Sequence, residues 1–303
     1  MRVAVVGGYG VGMTMGVSRF PVAGETVLGG SCVAGPGGKG SNQAIAAARL
    51  GAEVGLLTAV GADRPAEDAR QLWVKENVGS EHVVCSDLPT MVGFILVNDA
   101  GENEIAIAPG ALTQLSPEHV EAFRPVIREA DVAVVSMEIP IQAVCAALRI
   151  ARQEGTTSLL NPAPAAPLPE EAWEWIDIVT PNQGEAAQLL GLDEQQGLDA
   201  GALLARLRAT TDATIVLTLG SRGCAVSVGE DSYLVEALAP PRVEDTTGAG
   251  DSFTAALAVA VAEGLPLREA VRFAAGAGAH AVSVAGVIDA LPTRENISRI
   301  LAP

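Results

Sequence analysis

The sequence predicts an α/β fold of three layers, α/β/α, with a mostly parallel central sheet and a small β-sheet lid. Three observations predict it. Hydrophobic residues make up 49% of the 303 positions and aromatics only 3%, so Val, Ile, Leu and Ala must do the packing. That composition suits parallel strands buried under Ala-rich helices. From Asp131 onward, short β-branched runs alternate with apolar stretches of helical length, the rhythm of a parallel sheet with helices on both faces. Segments near 15–35 and 90–110 break that rhythm and are expected to form the lid. The span 1–303 reads as a single domain.

The elements follow in order. Arg2–Val6 is a β-branched run that ends in glycines and reads as a buried strand. Ser41–Leu50 follows a Gly-rich turn and reads as a helix, and Glu53–Ala59 as the next strand. Pro65–Asn77 is helical, with Pro65 near its start. Met91–Val97 and Glu104–Pro109 flank Asn98-Asp99-Ala100-Gly101, a hairpin pattern. Val132–Ser136, Thr157–Leu160, Ile176–Thr180 and Thr214–Thr218 are strands. Ile141–Gln153, Gln183–Gly191, Leu198–Thr210, Ala249–Glu263 and Leu267–Ala285 are helices. The Pro-rich stretch Asn161–Pro169 reads as a rigid loop within the domain.

Charge and composition narrow the function. A formal net charge of −17 makes nucleic acid a poor partner, because phosphate contacts need Lys and Arg in excess. Cys32, Cys85, Cys145 and Cys224 are far apart, and His82, His119 and His280 are scattered, so neither a Cys-based zinc site nor a disulfide framework is expected. The opening MRVAVVGG enters a strand directly, and no apolar run reaches the ~18 residues of a membrane span. A reduced, cytoplasmic protein is expected, with no membrane partner.

The segment with the most chemistry is Val243-Glu244-Asp245-Thr246-Thr247-Gly248-Ala249-Gly250-Asp251-Ser252-Phe253, which leads into an Ala-rich helix. Glycines at a helix start let a ligand approach unpaired N–H groups at the positive end of the helix dipole. Asp251, taken alone, is first expected to be a plain helix cap. The other role for it is general base toward an attacking hydroxyl, with the N–H groups stabilising a transferring phosphoryl.

Three more segments bear on that choice. Gly35-Pro36-Gly37-Gly38-Lys39-Gly40-Ser41-Asn42-Gln43 is a second Gly-rich turn entering a helix, and it lacks the Walker A spacing. Thr180-Pro181-Asn182-Gln183-Gly184-Glu185 sets two oxygen-bearing side chains after a strand, which suits either a capped helix or Mg²⁺ held through water. Thr218-Leu219-Gly220-Ser221-Arg222-Gly223 is a loop after a strand, where open α/β sheets bind ligands. The glycines of Val5–Gly12 raise a dinucleotide-binding alternative. However, G-x-G-x-x-G read from Gly8 puts Met13 at the last glycine, and no helix is expected to follow.

These segments, in this order, resemble the ribokinase-like (PfkB) family of carbohydrate kinases over nearly the whole chain. Gly37-Gly38-Lys39-Gly40-x-Asn42 resembles its N-terminal signature, and Asp245-Thr246-x-Gly248-Ala249-Gly250-Asp251-x-Phe253 its C-terminal one. Phe20-Pro21-x-x-Gly24-Glu25-Thr26 and Asn161-Pro162-Ala163-Pro164 further resemble ribokinases. The resemblance implies ATP-dependent phosphorylation of a primary hydroxyl on a small sugar. It makes Asp251 the base and the backbone of Gly248, Ala249 and Gly250 an anion hole. Asn182 and Glu185 fall in the Mg²⁺–phosphate region. Thr218, Gly220, Ser221, Gly223 and Ala275 fall beside the nucleotide, and Gly38, Lys39, Gly40, Asn42 and Glu138 toward the sugar. Potassium is expected to be held by Asp245 and Thr247 with the backbone of Ala281, Val284 and Gly286. A homodimer formed through the lids is implied as well.

The chain departs from that pattern twice. Where ribokinases carry an Asn and an Asp that hold sugar hydroxyls, the ungapped count from Phe20-Pro21 puts Gly10 and Gly12. Hydrogen bonds to a charged group are worth roughly 1.5–3 kcal/mol, so the acceptor either lacks that diol or is bulkier. Ala290 stands where the pattern has a Ser that completes the cation shell. A pentose-like sugar is the expected acceptor. A nucleoside is the alternative, and a non-catalytic sugar or nucleotide sensor is a further one, since fold does not fix function.

Overall fold

A computed structural model describes residues 1–192 and 199–302 of the chain. Nine strands form the main sheet. Across it they run Asp231–Val235, Cys224–Val228, Thr214–Thr218, Ile178–Val179, Thr157–Asn161, Val132–Ser136, Arg2–Val6, Glu53–Leu57 and Val78–Gly79. The pairs from Thr214–Thr218 to Val78–Gly79 are parallel, and the first two strands add an antiparallel edge.

Strand alternation divides the core between the two faces. Val3, Val5, Val132 and Val134 belong to one buried cluster, with side chains of the helices Lys39–Arg49, Arg64–Lys75, Ala249–Ala262 and Leu267–Ala281. Ala4, Val6, Ala133 and Val135 belong to the other, with the helices Pro117–Glu129, Ile141–Glu154, Gln183–Leu189 and Ala200–Arg208. The expected three layers are therefore present. No helix among the described residues is long and apolar enough to cross a membrane.

A separate four-stranded sheet contains Cys32–Gly37, Gly10–Gly16, Met91–Val97 and Asn103–Ala108 in that order. The 90–110 hairpin is antiparallel as expected. The other lid segment is displaced from its expected bounds. Its strands are Gly10–Gly16 and Cys32–Gly37, and 17–31 contributes none. Chain after Val6 thus enters a strand, so the N-terminal glycines lack the helix start that a dinucleotide pyrophosphate needs.

Several boundaries differ from expectation for identifiable reasons. Glu53–Leu57 stops at Leu57, because Ala59–Val60 leaves to pair with Val84–Cys85. Only Ile178–Val179 of 176–180 joins the sheet. The helix Leu267–Ala281 ends before Ala285, because the N–H of Glu244 takes the Val282 carbonyl at 2.8 Å and ties that turn to the neighbouring loop. Leu198, the expected first residue of the Leu198–Thr210 helix, lies outside the described residues, and the helix there runs Ala200–Arg208.

The approach of two helices across the sheet matters most for function. The helices Lys39–Arg49 and Ala249–Ala262 pack on each other. The first also presses onto the turn after Arg2–Val6, where a Cβ on Gly40 would lie 2.5 Å from the Gly7 carbonyl carbon. The N–H of Ser41 donates to the Gly8 carbonyl at 3.0 Å, and its hydroxyl accepts from the Trp73 indole at 2.8 Å.

Candidate active site

The parallel strands deliver their carboxyl ends to one edge of the sheet. Gly7–Gly8, Glu138, Asn161, Thr180–Asn182 and Thr218 all follow directly from, or end, strands of that sheet, which is where open α/β folds bind ligands. One cavity at that edge is lined by Lys39, Asn161, Asn182, Glu185, Thr218, Gly250 and Asp251, with Ala163, Thr180, Phe253 and Thr254. Residues from both Gly-rich turns and from the two strand-end segments thus share one space.

Asp251 is not a helix cap, which corrects the first expectation for that residue in isolation. The cap position is Gly248, in the left-handed region at φ 78°, and no side chain caps this helix. Asp251 is buried and turns its carboxylate across to the neighbouring helix. The Asn42 side-chain amide donates to Oδ2 at 2.8 Å, and the Gln43 amide donates to Oδ1 at 3.1 Å. Ser252 N–H opens the helix ladder onto the Gly248 carbonyl at 2.9 Å, leaving the N–H groups of Gly250 and Asp251 as first-turn donors.

The electrostatics are those of a crowded acidic pocket. Burial raises the Asp251 pKa above the usual carboxylate range, opposed by the Lys39 charge and the two amide donors. Glu138 accepts the N–H of Lys39 at 2.6 Å. Desolvation pushes its carboxyl up to about 7, against the pull of Lys39 and with a further push from Asp251. Glu185 is raised by burial too. Desolvation works to lower Lys39, but Asp251, Glu138 and Glu185 outweigh it and hold the ammonium firmly charged. A single cation therefore faces three carboxyls, an arrangement suited to anionic phosphates only if further positive charge arrives with them.

Asn182 and Glu185 meet in a reciprocal capping box. Asn182 accepts the N–H of Glu185 at 2.8 Å, and Glu185 accepts the N–H of Asn182 at 2.8 Å. The capping expectation thus holds, and one oxygen of Glu185 stays free beside the cavity. Thr218 bridges this segment, its N–H donating to the Pro181 carbonyl at 2.9 Å. Gly220–Arg222 is an exposed turn, and Arg222 bonds the Gln183 side chain. Gly223 has a packing reason of its own, since a Cβ there would lie 2.1 Å from the Val235 carbonyl oxygen. Ala275 is half-buried on Leu267–Ala281, outside the cavity lining.

The loop 245–247 is clasped to 286. Asp245 accepts the Thr247 hydroxyl at 2.6 Å, the Thr247 N–H at 2.9 Å and the Gly286 N–H at 3.1 Å. Burial works to raise its carboxyl, but these donors win and hold it below the usual range, so it stays charged. Ala281 is buried at the end of its helix, and its carbonyl accepts the Val284 N–H at 3.2 Å. Ala290 is buried and offers no side-chain oxygen.

A model of the pfkB family of carbohydrate kinases matches residues 5–294. The chain belongs to that family. It is 34% identical over 98% of its length to the ribokinase of Haemophilus influenzae, covering 97% of that protein. It is also 34% identical, over 99% of its length, to the bifunctional ribokinase/ribose-5-phosphate isomerase A of Fructilactobacillus sanfranciscensis, and spans 56% of that longer protein. In architecture it resembles Arabidopsis thaliana ribokinase complexed with ribose and ATP, with a TM-score of 0.89 at 28% identity, over 99% of this chain and 98% of the other. The chain is thus a ribokinase-like carbohydrate kinase.

Two residues of this kinase's site escaped the sequence reading. Gln43, fully buried, was quoted only as the end of a Gly-rich turn, and Asn161 only as the start of a Pro-rich segment that resembles ribokinases, with no role in the site. Their amides meet at 2.9 Å beside Asp251. Nothing local distinguishes them from capping or turn residues.

Glu138 generates a prediction. Its folded pKa of about 7 lies above the ordinary glutamate value of 4.5, so the folded chain holds this proton more tightly than the unfolded one. Folding is thus favoured by falling pH across that window and disfavoured above it. Glu138→Gln removes the burden and is expected to raise the thermal unfolding midpoint at pH 8, with a gain that shrinks toward pH 5. Melting curves at the two pH values check this, and an equal shift at both contradicts it.

Proposed function

We propose that this kinase transfers the γ-phosphoryl group of ATP to a primary hydroxyl of a pentose-like sugar, with Asp251 as general base. The observation that carries the reading is the Asp251 carboxylate, buried, held by two amide donors, and set at a helix N-terminus in the cavity it shares with Lys39, Asn182, Glu185 and Thr218. Asp251 takes the hydroxyl proton as the oxygen attacks the γ-phosphorus. The bond from that phosphorus to the β–γ bridging oxygen breaks, ADP leaves, and the proton passes to solvent. The turn of Gly248, Ala249 and Gly250, whose Gly250 N–H is a free first-turn donor, stabilises the charge on the transferring group.

Other residues take roles consistent with their places. Gly38, Lys39, Gly40, Asn42 and Glu138 border the acceptor, and Asn42 Oδ1 is a buried acceptor with no partner, free for a sugar hydroxyl. Thr218, Gly220, Ser221, Gly223 and Ala275 border the nucleotide. Among the described residues no group of three or more His, Cys, Asp or Glu is placed to hold a metal. The donor set therefore fits Mg²⁺ that arrives on the phosphates and meets Asn182 and Glu185 through water; when bound, it neutralises phosphate charge. A monovalent cation, K⁺, fits beside the anion hole, where Asp245 is charged and Thr247 and the carbonyls of Ala281, Val284 and Gly286 supply oxygens. Water takes the place of a side chain at Ala290.

The small sheet acts as a lid in this reading and as the surface for a second copy of the chain. Val33, Phe94, Ile105 and Ile107 on its strands are exposed, which is costly for a sheet that stays single. Its inner face is poor in polar groups at Gly10 and Gly12. A Cβ on Gly10 would lie 2.4 Å from Met91 Cε and 2.7 Å from the Met91 carbonyl oxygen, whereas one on Gly12 meets only Ile95 Cδ1 at 3.4 Å. Met91 fills the space beside Gly10, and Gly12 leaves room for a larger acceptor.

Four outcomes test the reading. Asp251→Asn is expected to lower kcat by about 10²–10⁴-fold in an ADP-release assay run on sugars, sugar alcohols and nucleosides, with and without K⁺. Near-normal turnover in that variant contradicts the assignment. Gly12→Asp is expected to raise kcat/KM for free ribose by about tenfold or more, the worth of a charged hydrogen bond. Gly10→Asn is expected to lower it, because the side chain meets Met91. Phe94→Asp is expected to halve the mass seen by light scattering, and an unchanged mass argues against the lid dimer.

A further inference from the structure

We infer that Gln43 is a positioning residue for the phosphoryl-transfer step, holding the Asp251 carboxylate in the orientation that receives the acceptor proton. This rests on the reading of Asp251 as base. The Gln43 side-chain nitrogen reaches two oxygens at once, Asp251 Oδ1 at 3.1 Å and Asn161 Oδ1 at 2.9 Å. The Asn161 amide in turn reaches the Thr180 carbonyl at 3.4 Å. A chain of side chains thus ties the carboxylate to the ends of two sheet strands, Thr157–Asn161 and Ile178–Val179, across the gap between two helices.

Gln43 is fully buried and does not line the cavity, while Asp251 does. It therefore acts through Asp251 and touches no substrate. Among the described residues its oxygen has no partner, since Gln43 Oε1 is buried and unpaired. Leaving a buried carbonyl unsatisfied is destabilising, so an apolar residue of the same shape would be the more stable choice for packing alone. A glutamine at this place is explained by the carboxylate its nitrogen holds. Asn42 on the same helix covers the other oxygen, at 2.8 Å, so neither oxygen of Asp251 is free to rotate away.

The same donor acts on the proton affinity of Asp251. The groups that face this carboxyl are Lys39 from the same helix start, Glu138 from the end of Val132–Ser136, and Glu185 from Gln183–Leu189. Burial raises its pKa, and Lys39, Asn42 and Gln43 oppose it. Removing the Gln43 donor lets burial push the carboxyl higher, so the charged form is lost earlier as pH falls.

The test uses Gln43→Met, which keeps the length and removes the donor. The expected result is a loss of about tenfold to hundredfold in kcat, the worth of one charged hydrogen bond, with KM for ATP and for the acceptor little changed. The acid limb of the kcat profile is expected to move to higher pH, and the melting temperature is expected to stay level or rise. Gln43→Glu, which sets a second carboxyl against Asp251, serves if the Met variant does not fold, and its acid limb is expected to move further in the same direction. Wild-type kcat and an unmoved pH profile in the folded variants overturn the proposal, and so does a loss confined to KM. Asp251→Asn run alongside separates the two readings. If it is inactive while Gln43→Met is normal, only the positioning role falls. If it is active, the base assignment falls first.

Discussion

The site depends on how closely the helix Lys39–Arg49 approaches the turn after the first strand. Gly40 lies against Gly7 so tightly that neither accepts a Cβ without displacing backbone, a Cβ on Gly7 lying 2.8 Å from Gly40 Cα. Backbone cannot yield as a flexible side chain can. That contact sets the depth of the helix, and the depth brings the Asn42 and Gln43 amides within hydrogen-bond reach of Asp251 on a helix more than 200 residues later in the chain. Glycine in a helix costs roughly 1 kcal/mol relative to alanine. The gain is a carboxylate held on both oxygens.

Holding it there works against folding. Asp251, Glu138 and Glu185 all have raised pKa values, and burial is the leading cause for each. Lys39 compensates only in part, because one ammonium cannot neutralise three carboxyls. Such a cluster is a cost that a merely structural core would avoid, and perturbed carboxyls that share a cavity are a mark of function. On the proposed reading, the polarity of the pocket is completed by sugar hydroxyls and by Mg²⁺ carried on the phosphates.

The small sheet differs in kind from the main one. Its inner positions at Gly10 and Gly12 carry no side chain, and Met91 occupies what Gly10 leaves. On the proposed reading, polar recognition of the acceptor falls to the body of the molecule, through Asn42 and Glu138, while the small sheet contributes shape. By register, exposed Val33 and Ile107 lie on the face of Gly10 and Gly12, and exposed Phe94 lies on the opposite face. Specificity and assembly, on that proposed reading, both involve this small sheet, apart from the machinery that moves the phosphoryl group.

Much of this was legible in the sequence. The β-branched runs and Ala-rich periodic stretches determined the layered sheet, since parallel strands buried on both faces admit little else. The glycines before Lys39 and around Ala249 located two ligand-facing helix starts, and the resemblance to pfkB kinases carried the reaction. Local reading was less reliable where partners are distant. It missed the Cys224–Val228 and Asp231–Val235 hairpin and the helices Pro117–Glu129 and Arg294–Leu301. It extended Leu267–Ala281 through a turn that only a carbonyl taken by Glu244 closes. It also read Asp251, in isolation, as a cap. The sequence by itself determined the alternating strands and helices of the layered sheet and which segment carries the carboxylate. Only the tertiary structure decided that Asp251 faces Asn42 and Gln43 instead of its own helix, because a hydrogen bond between residues so far apart in the chain exists only once two helices have packed at a distance set by glycine.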